Sequence, residues 1–133
     1  IDMPPGTGDT QLTFAQQIKV DGAVIISTPQ DLALLDVKRG IEMFDKTGIK
    51  IIGLVDNMSF FKGDDGKNYK IFGEGGVEKT AKEYKKEFLG KIPIHQDLRN
   101  ANDKGDPLTH SNPKHEVSLV FRDIAEKIRL SFQ

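Results

Sequence analysis

Apolar residues recur along this chain at two different periods, and the alternation between them sets out its elements. Leu12, Ala15 and Ile18 lie three apart behind Asp9, which predicts a helix capped by that aspartate and ending near Asp21-Gly22. Ala23-Val24-Ile25-Ile26-Ser27 is instead a continuous β-branched run, the pattern of a strand buried on both faces. Thr28-Pro29-Gln30-Asp31 breaks it and opens a second helix, on which Leu34, Val37, Ile41 and Phe44 form one stripe before Gly48 stops it. A second buried strand is expected over 49–55, with Asp56-Asn57-Met58-Ser59 at its C-terminal end. Strand, helix and strand with short connections make a βαβ unit, hence a parallel pair with a right-handed crossover.

The polar stretch 60–76 contains Gly63-Asp64-Asp65-Gly66 and reads as a loop or small hairpin. A third helix is predicted over 77–87, with Val77, Ala81 and Tyr84 inward and Lys79, Lys82, Lys85 and Lys86 on a solvated face. A short strand over 88–92, ended by Pro93, a brief helix over 96–103 and a turn at Gly105-Asp106-Pro107 follow. The last helix, over 114–130, carries Val117, Val120, Phe121, Ile124 and Ile128 as one apolar stripe. Strands alternating with helices predict an α/β fold, a doubly wound, mostly parallel sheet with flanking helices.

Composition narrows the function classes. At 133 residues the chain suffices for one compact domain. Lys and Arg number 19 against 20 Asp and Glu, a net charge of -1, which argues against a nucleic-acid binder held by bulk charge. The longest apolar runs are too short to span a bilayer, and the polar side of the last helix is not basic enough for a membrane-surface helix. There is no cysteine, so thiolate nucleophiles, Cys-ligated zinc and iron–sulfur sites cannot be built from this chain alone, and a cytoplasmic location is expected. The start at Ile1-Asp2-Met3-Pro4-Pro5-Gly6 has neither the basic nor the apolar segment of a signal peptide and reads as a chain cut in mid-strand. His95, His110 and His115 have no metal-ligand spacing, so no metal role is read from them.

Chemistry concentrates at the expected strand ends. Asp2-Met3-Pro4-Pro5-Gly6-Thr7-Gly8-Asp9 precedes a helix where, in nucleotide-binding α/β proteins, a phosphate-bound metal collects. Asp2 can hold Mg²⁺ there, and Gly6, lacking a Cβ, lets its N–H approach a terminal phosphate. The same segment also reads as a Pro/Gly turn with an Asp-capped helix behind it. Thr28-Pro29-Gln30, Asp56-Asn57-Met58-Ser59 and Pro93-Ile94-His95-Gln96-Asp97 would be gathered on one edge by a parallel sheet. Asn57 has the donors and acceptor needed to read an adenine edge.

These residues occur in a telling order: Asp2 to Asp9 with Gln11-Leu12-Thr13, Ser27-Thr28-Pro29-Gln30 with Ala33, Leu34 and Asp36, Asn57-Met58-Ser59, Ile71-Phe72-Gly73 with Gly75-Gly76, and Gly90 with Ile92-Pro93. The chain resembles, over essentially all its length, the Mrp/ApbC family of ATP-binding iron–sulfur cluster carriers, related to the MinD and ParA ATPases. The resemblance implies a P-loop NTPase fold, with Asp2 in the Walker B/switch II position and Gly6 sensing the γ-phosphate. It implies that Asn57 contacts the base and that the loop from Pro93 to Asp97 closes over it. It further implies ATP and Mg²⁺ as cofactors, ATP hydrolysis coupled to cluster transfer, a homodimer and apo iron–sulfur acceptor proteins as partners.

Two departures stand against this pattern. G-x-x-x-x-G-K-[ST] occurs nowhere, and the family places that loop far upstream of Asp2. By resemblance, residues 1–133 are therefore the C-terminal part of a single nucleotide-binding domain, with ATP hydrolysis expected of the full-length protein and not of this chain alone. The family's Cys-x-x-Cys pair after Asn-Met-Ser falls on Gly63-Asp64-Asp65-Gly66, which supplies no thiolate, so any cluster needs ligands from outside this chain. A MinD/ParA-like ATP-dependent dimerisation switch without a cluster, and a catalytically inert fragment with an unpaired sheet edge, stand as alternative readings.

Overall fold

The computed structural model describes residues 1–3 and 8–133. In chain order the elements are α1 (Asp9–Gln17), β1 (Ala23–Ser27), α2 (Asp31–Thr47), β2 (Ile51–Lys62), β3 (Asn68–Tyr69), α3 (Gly76–Glu83), β4 (Phe88–Ile94), α4 (Gln96–Lys104), α5 (Leu108–Ser111) and α6 (Glu116–Leu130). β2 is the spine, pairing in parallel with β1 on one side (Ile25 opposite Leu54, Ser27 opposite Asp56) and with β4 on the other (Asp56 opposite Lys91, Asn57 opposite Ile92). β3 folds back antiparallel on the end of β2, Phe61 opposite Tyr69, so the expected small hairpin is present.

The continuous apolar run of β2 is needed because helices cover both faces of the sheet there, whereas β1, expected to be buried on both faces, is an edge strand among the described residues and only half-buried. On one face Leu54 packs with Val37 and Ile41 of α2 and Val77 and Ala81 of α3. On the other, Val55, Leu89 and Ile92 pack against Ile124, with Val120, Phe121 and Ile128 of the same α6 stripe closing over them. α2 ends at the expected Gly48, whose N–H bonds back to Asp45 and Phe44 carbonyls. No described helix is long and apolar enough to cross a membrane.

Several boundaries differ from those expected, each because sheet pairing overrides local preference. α1 stops at Gln17 and not near Asp21-Gly22, since Ala23 N–H already bonds Lys50 O at 2.8 Å and the chain must straighten to reach it. α3 stops at Glu83 and not at Glu87, because Glu87 O accepts Leu54 N–H at 2.9 Å and belongs to the ladder. β2 continues past Val55 to Lys62, through an irregularity between Asn57 and Phe61 in its pairing with β4 and with β3 as its last partner. That irregularity also lets β4 run through Pro93 to Ile94, since a proline lacking N–H is tolerated on an edge strand or at a bulge.

The turn expected at Gly105-Asp106-Pro107 leads into the unforeseen α5, which buries Leu108 against Ala101 and Val117. Ser118 Oγ ties α6 to that corner by donating to Leu108 O (3.1 Å) and Asn112 O (2.8 Å). α6 itself starts at Glu116, two residues later than expected, because His115 is its N-cap.

Candidate functional site

Parallel pairing brings the C-terminal ends of β1 and β2 side by side, and a cavity of about 340 Å³ opens there between Ser27, Thr28, Asp36 and Asn57. Ser27 Oγ donates to Thr28 O at 2.9 Å and Thr28 Oγ1 to Gln30 Oε1 at 3.3 Å, which holds the strand-to-helix turn. Asn57 Oδ1 accepts Met58 N–H at 3.0 Å, so one acceptor position of its amide is already engaged. Met58 follows with φ 54°, a left-handed conformation uncommon for a residue with a Cβ, at the bulge where β2 leaves its register with β4.

A larger cavity of about 640 Å³ lies along β1, lined by Asp2 and Met3 together with Ala15, Val24, Ile26 and Met43. Asp36 borders both spaces, so Asp2 and Asn57 line neighbouring cavities that share that aspartate. Among the described residues β1 pairs only with β2, and Ile26 is 62 % exposed. Among the described residues β1 is therefore an edge strand with one side unpaired.

Asp56 is a residue that the sequence placed among the polar strand ends without giving it a role of its own. It sits opposite Ser27 and Lys91 in the ladder, is 1 % exposed, and its Oδ1 has no hydrogen-bond partner among the described residues. Burial pushes its carboxyl up to about 6, against the pull of the Lys91 ammonium and with some help from Glu78. Lys91 is held by Glu78 at 2.9 Å, a hydrogen bond that raises the lysine. The signal in the sequence was an acid continuing, two residues after Leu54, the inward face of a strand buried on both sides.

The other expected site residues are dispersed. Gly6 lies outside the described residues. Pro93 is buried within β4, and neither it nor Asp97 lines the cavity around Asn57. Asp97 is in the first turn of α4 and faces the N-terminus of α6, with Oδ2 3.4 Å from His115 Nε2. Two of the three histidines, unrelated by sequence spacing, meet there: the rings of His95 and His115 are 4.7 Å apart, edge to face. Each caps a helix through Nδ1, His95 accepting Asp97 N–H at 3.1 Å and His115 accepting Val117 N–H at 3.2 Å. A cap of this kind stabilises by about 1 kcal/mol.

The turn at 63–66 strains a side chain at both glycine positions. A Cβ on Gly63 would stand 2.6 Å from Tyr69 Cε2, and Gly66 has φ 76°. Asp65 closes the turn, accepting Lys67 N–H at 3.0 Å and the Tyr69 hydroxyl at 2.8 Å. These bonds, the Lys67 amide first, hold the Asp65 carboxyl below the usual carboxylate range. A Gly66→Cys variant is expected to lose about 1 kcal/mol in urea unfolding, because a Cβ strains the left-handed conformation. Unchanged stability would contradict that geometry.

Residues 1–129 match the family described as ParA, NUBPL iron-transfer P-loop NTPase. The iron-sulfur cluster carrier protein of Escherichia coli K12 is 47% identical over 129 residues, covering 96% of this chain and 35% of that protein. The iron-sulfur cluster transfer protein NUBPL of Dictyostelium discoideum is 45% identical over 128 residues, covering 96% of this chain and 40% of that protein. The chain thus spans about a third of the length of the curated relatives it matches. Among solved structures, a nucleotide-binding protein from Archaeoglobus fulgidus in complex with ADP aligns with a TM-score of 0.68 at 43% identity, over 77% of this chain and 43% of that one. The Pyrococcus furiosus cell division ATPase MinD aligns with a TM-score of 0.65 at 21% identity, over 83% and 43%, a likeness of fold. With a three-layer α/β sheet, polar strand ends around shared cavities and a family match that runs nearly from end to end, this chain belongs to the NUBPL iron-transfer P-loop NTPases.

Proposed function

We propose that the whole protein is an ATP-dependent iron–sulfur cluster carrier acting as a cytoplasmic homodimer, and that residues 1–133 are the C-terminal part of its single nucleotide-binding domain. The observation that carries this reading is the cavity at the ends of β1 and β2, bordered by Thr28, Asp36 and Asn57 and sharing Asp36 with the larger cavity along β1 that Asp2 lines, in a chain of an iron-transfer NTPase family. In open α/β sheets ligands bind outside the carboxyl ends of the strands.

On this reading Asn57 reads the base, and the segment from Pro93 to Asp97 closes over it. Gly6 gives its N–H to the terminal phosphate. The exposed carboxylate of Asp2, a hard oxygen donor beside the larger cavity, fits Mg²⁺, which when bound neutralises charge on the phosphates. This chain has no G-x-x-x-x-G-K-[ST] loop to cradle those phosphates, so hydrolysis is a property of the whole protein. The cluster is cargo, and with no cysteine in this chain its thiolates come from elsewhere in the protein or from a partner. Transfer to apo iron–sulfur acceptor proteins completes the cycle.

The deciding experiment is anaerobic reconstitution of the whole protein with iron and sulfide. Visible charge-transfer absorbance, iron in stoichiometric amount and passage of the cluster to an apo-acceptor are expected. Intact ATP binding with no cluster would leave the second reading, a dimerisation switch without cargo, which the missing cysteines favour. Separately, Asn57→Ala is expected to weaken ATP binding by about tenfold, the worth of about 1.4 kcal/mol in lost base contacts, as read by equilibrium titration. An unchanged affinity would remove Asn57 from the base site.

A further inference from the structure

We propose that His95, Asp97 and His115 form a binding site for a divalent transition-metal ion of the zinc and cobalt class, held between the N-termini of α4 and α6. One donor atom from each residue lies within 4.8 Å of the others. Asp97 Oδ2 is 3.4 Å from His115 Nε2 and 3.9 Å from His95 Nδ1. Tetrahedral metal–ligand bonds of about 2.0–2.1 Å set donors roughly 3.3 Å apart, so one of the three pairs already has that spacing, and the other two, no more than 4.8 Å apart, need a closing movement. Two imidazoles and a carboxylate suit borderline ions, and neither the all-oxygen shell of Mg²⁺ nor the thiolates of a cluster.

The setting supports ligation. Both rings stand on helix ends and hold each other edge to face at 82°. Their side chains are 27 % and 15 % exposed, so an ion and its remaining water ligands have a route in. Glu116 Oε1 lies 3.8 Å from His95 Nε2 and is placed to receive its proton, the outer carboxylate that commonly orients a metal-bound imidazole. Lys62 steadies the same carboxylate through Oε2 at 3.4 Å.

Ligation and capping compete for the same rings. His95 cannot give its Nδ1 lone pair to a metal and still accept Asp97 N–H. When His115 binds through Nε2, its proton moves to Nδ1 and opposes Val117 N–H. Metal binding at this site therefore releases two backbone amides that an ion adsorbed elsewhere would leave alone.

The test is titration of the intact chain with Zn²⁺ and Co²⁺ in the absence of nucleotide. Co²⁺ absorption, calorimetry and the amide resonances of Asp97 and Val117 are followed, alongside His95→Asn and His115→Asn. Asparagine is a strong helix cap and a poor ligand for these ions, so both variants keep the fold. Expected are saturable binding, displacement of both amide resonances, and an affinity at least about tenfold weaker in each variant at unchanged metal-free Tm. The absence of saturable binding, equal affinity in either variant, or unmoved Asp97 and Val117 amides would each overturn the site.

Discussion

Replacing Asp56 with asparagine is expected to raise the unfolding free energy by about 3 kcal/mol at pH 8 and to change it little at pH 4. In the folded chain this carboxyl ionises at about 6, against an ordinary value of 3.8, because it is buried and its Oδ1 has no partner among the described residues. Below 3.8 the acid is neutral folded and unfolded, and burial then costs nothing in ionisation. As pH rises from there toward 6 only the unfolded chain releases the proton, so stability falls, and above 6 the loss is complete. A difference of about two pK units corresponds to about 3 kcal/mol. Asparagine does not ionise, so its advantage should grow through the same window. Chemical denaturation of the two proteins at pH 4, 6 and 8 checks this. A gain independent of pH, or a loss at pH 8, would mean that the carboxylate is satisfied when ionised.

The second large effect is expected one turn of the pleat away. Leu54→Ala should cost about 3 kcal/mol in urea unfolding, through lost transfer energy and the cavity left behind. Leu54 is fully buried between α2 and α3, touching the layer of Val37, Ile41, Val77 and Ala81, and both neighbouring strands keep β2 from moving to fill the gap. Positions 54 and 56 point to the same face of β2, so the two substitutions share surroundings and their effects should not add simply. A loss below about 1 kcal/mol for Leu54→Ala would show that the helices close over the vacancy.

Periodicity was informative wherever a residue's environment follows from its near neighbours. The α2 stripe ending at Gly48, the buried run of β2 and the α6 stripe of Val117, Val120, Phe121, Ile124 and Ile128 lie where their spacing predicts, whereas the β1 run, read as buried on both faces, is a half-buried edge with Ile26 exposed. Order along the chain carried the family, and the absence of cysteine set a limit on cluster ligation that no fold could alter. The candidate site was legible in part. The polar ends of β1 and β2 meet as a parallel sheet requires, bringing Thr28 and Asn57 to one cavity.

Tertiary structure decided what depends on residues far apart. Local pattern stops β2 at Val55 and β4 before Pro93, but their mutual pairing carries both onward. Asp56 became a buried, orphaned acid only because β1, β4 and α3 surround it, and a lone aspartate after a strand does not announce its neighbours. His95 and His115 are twenty positions apart without ligand spacing, and the path through α4 and α5 sets them ring against ring. The sequence by itself determined the order of the main strands and helices and the family, because local periodicity and motif order are properties of the chain. The folded sheet alone decided which acid is buried and which imidazoles converge, because burial and proximity arise only when distant segments pack.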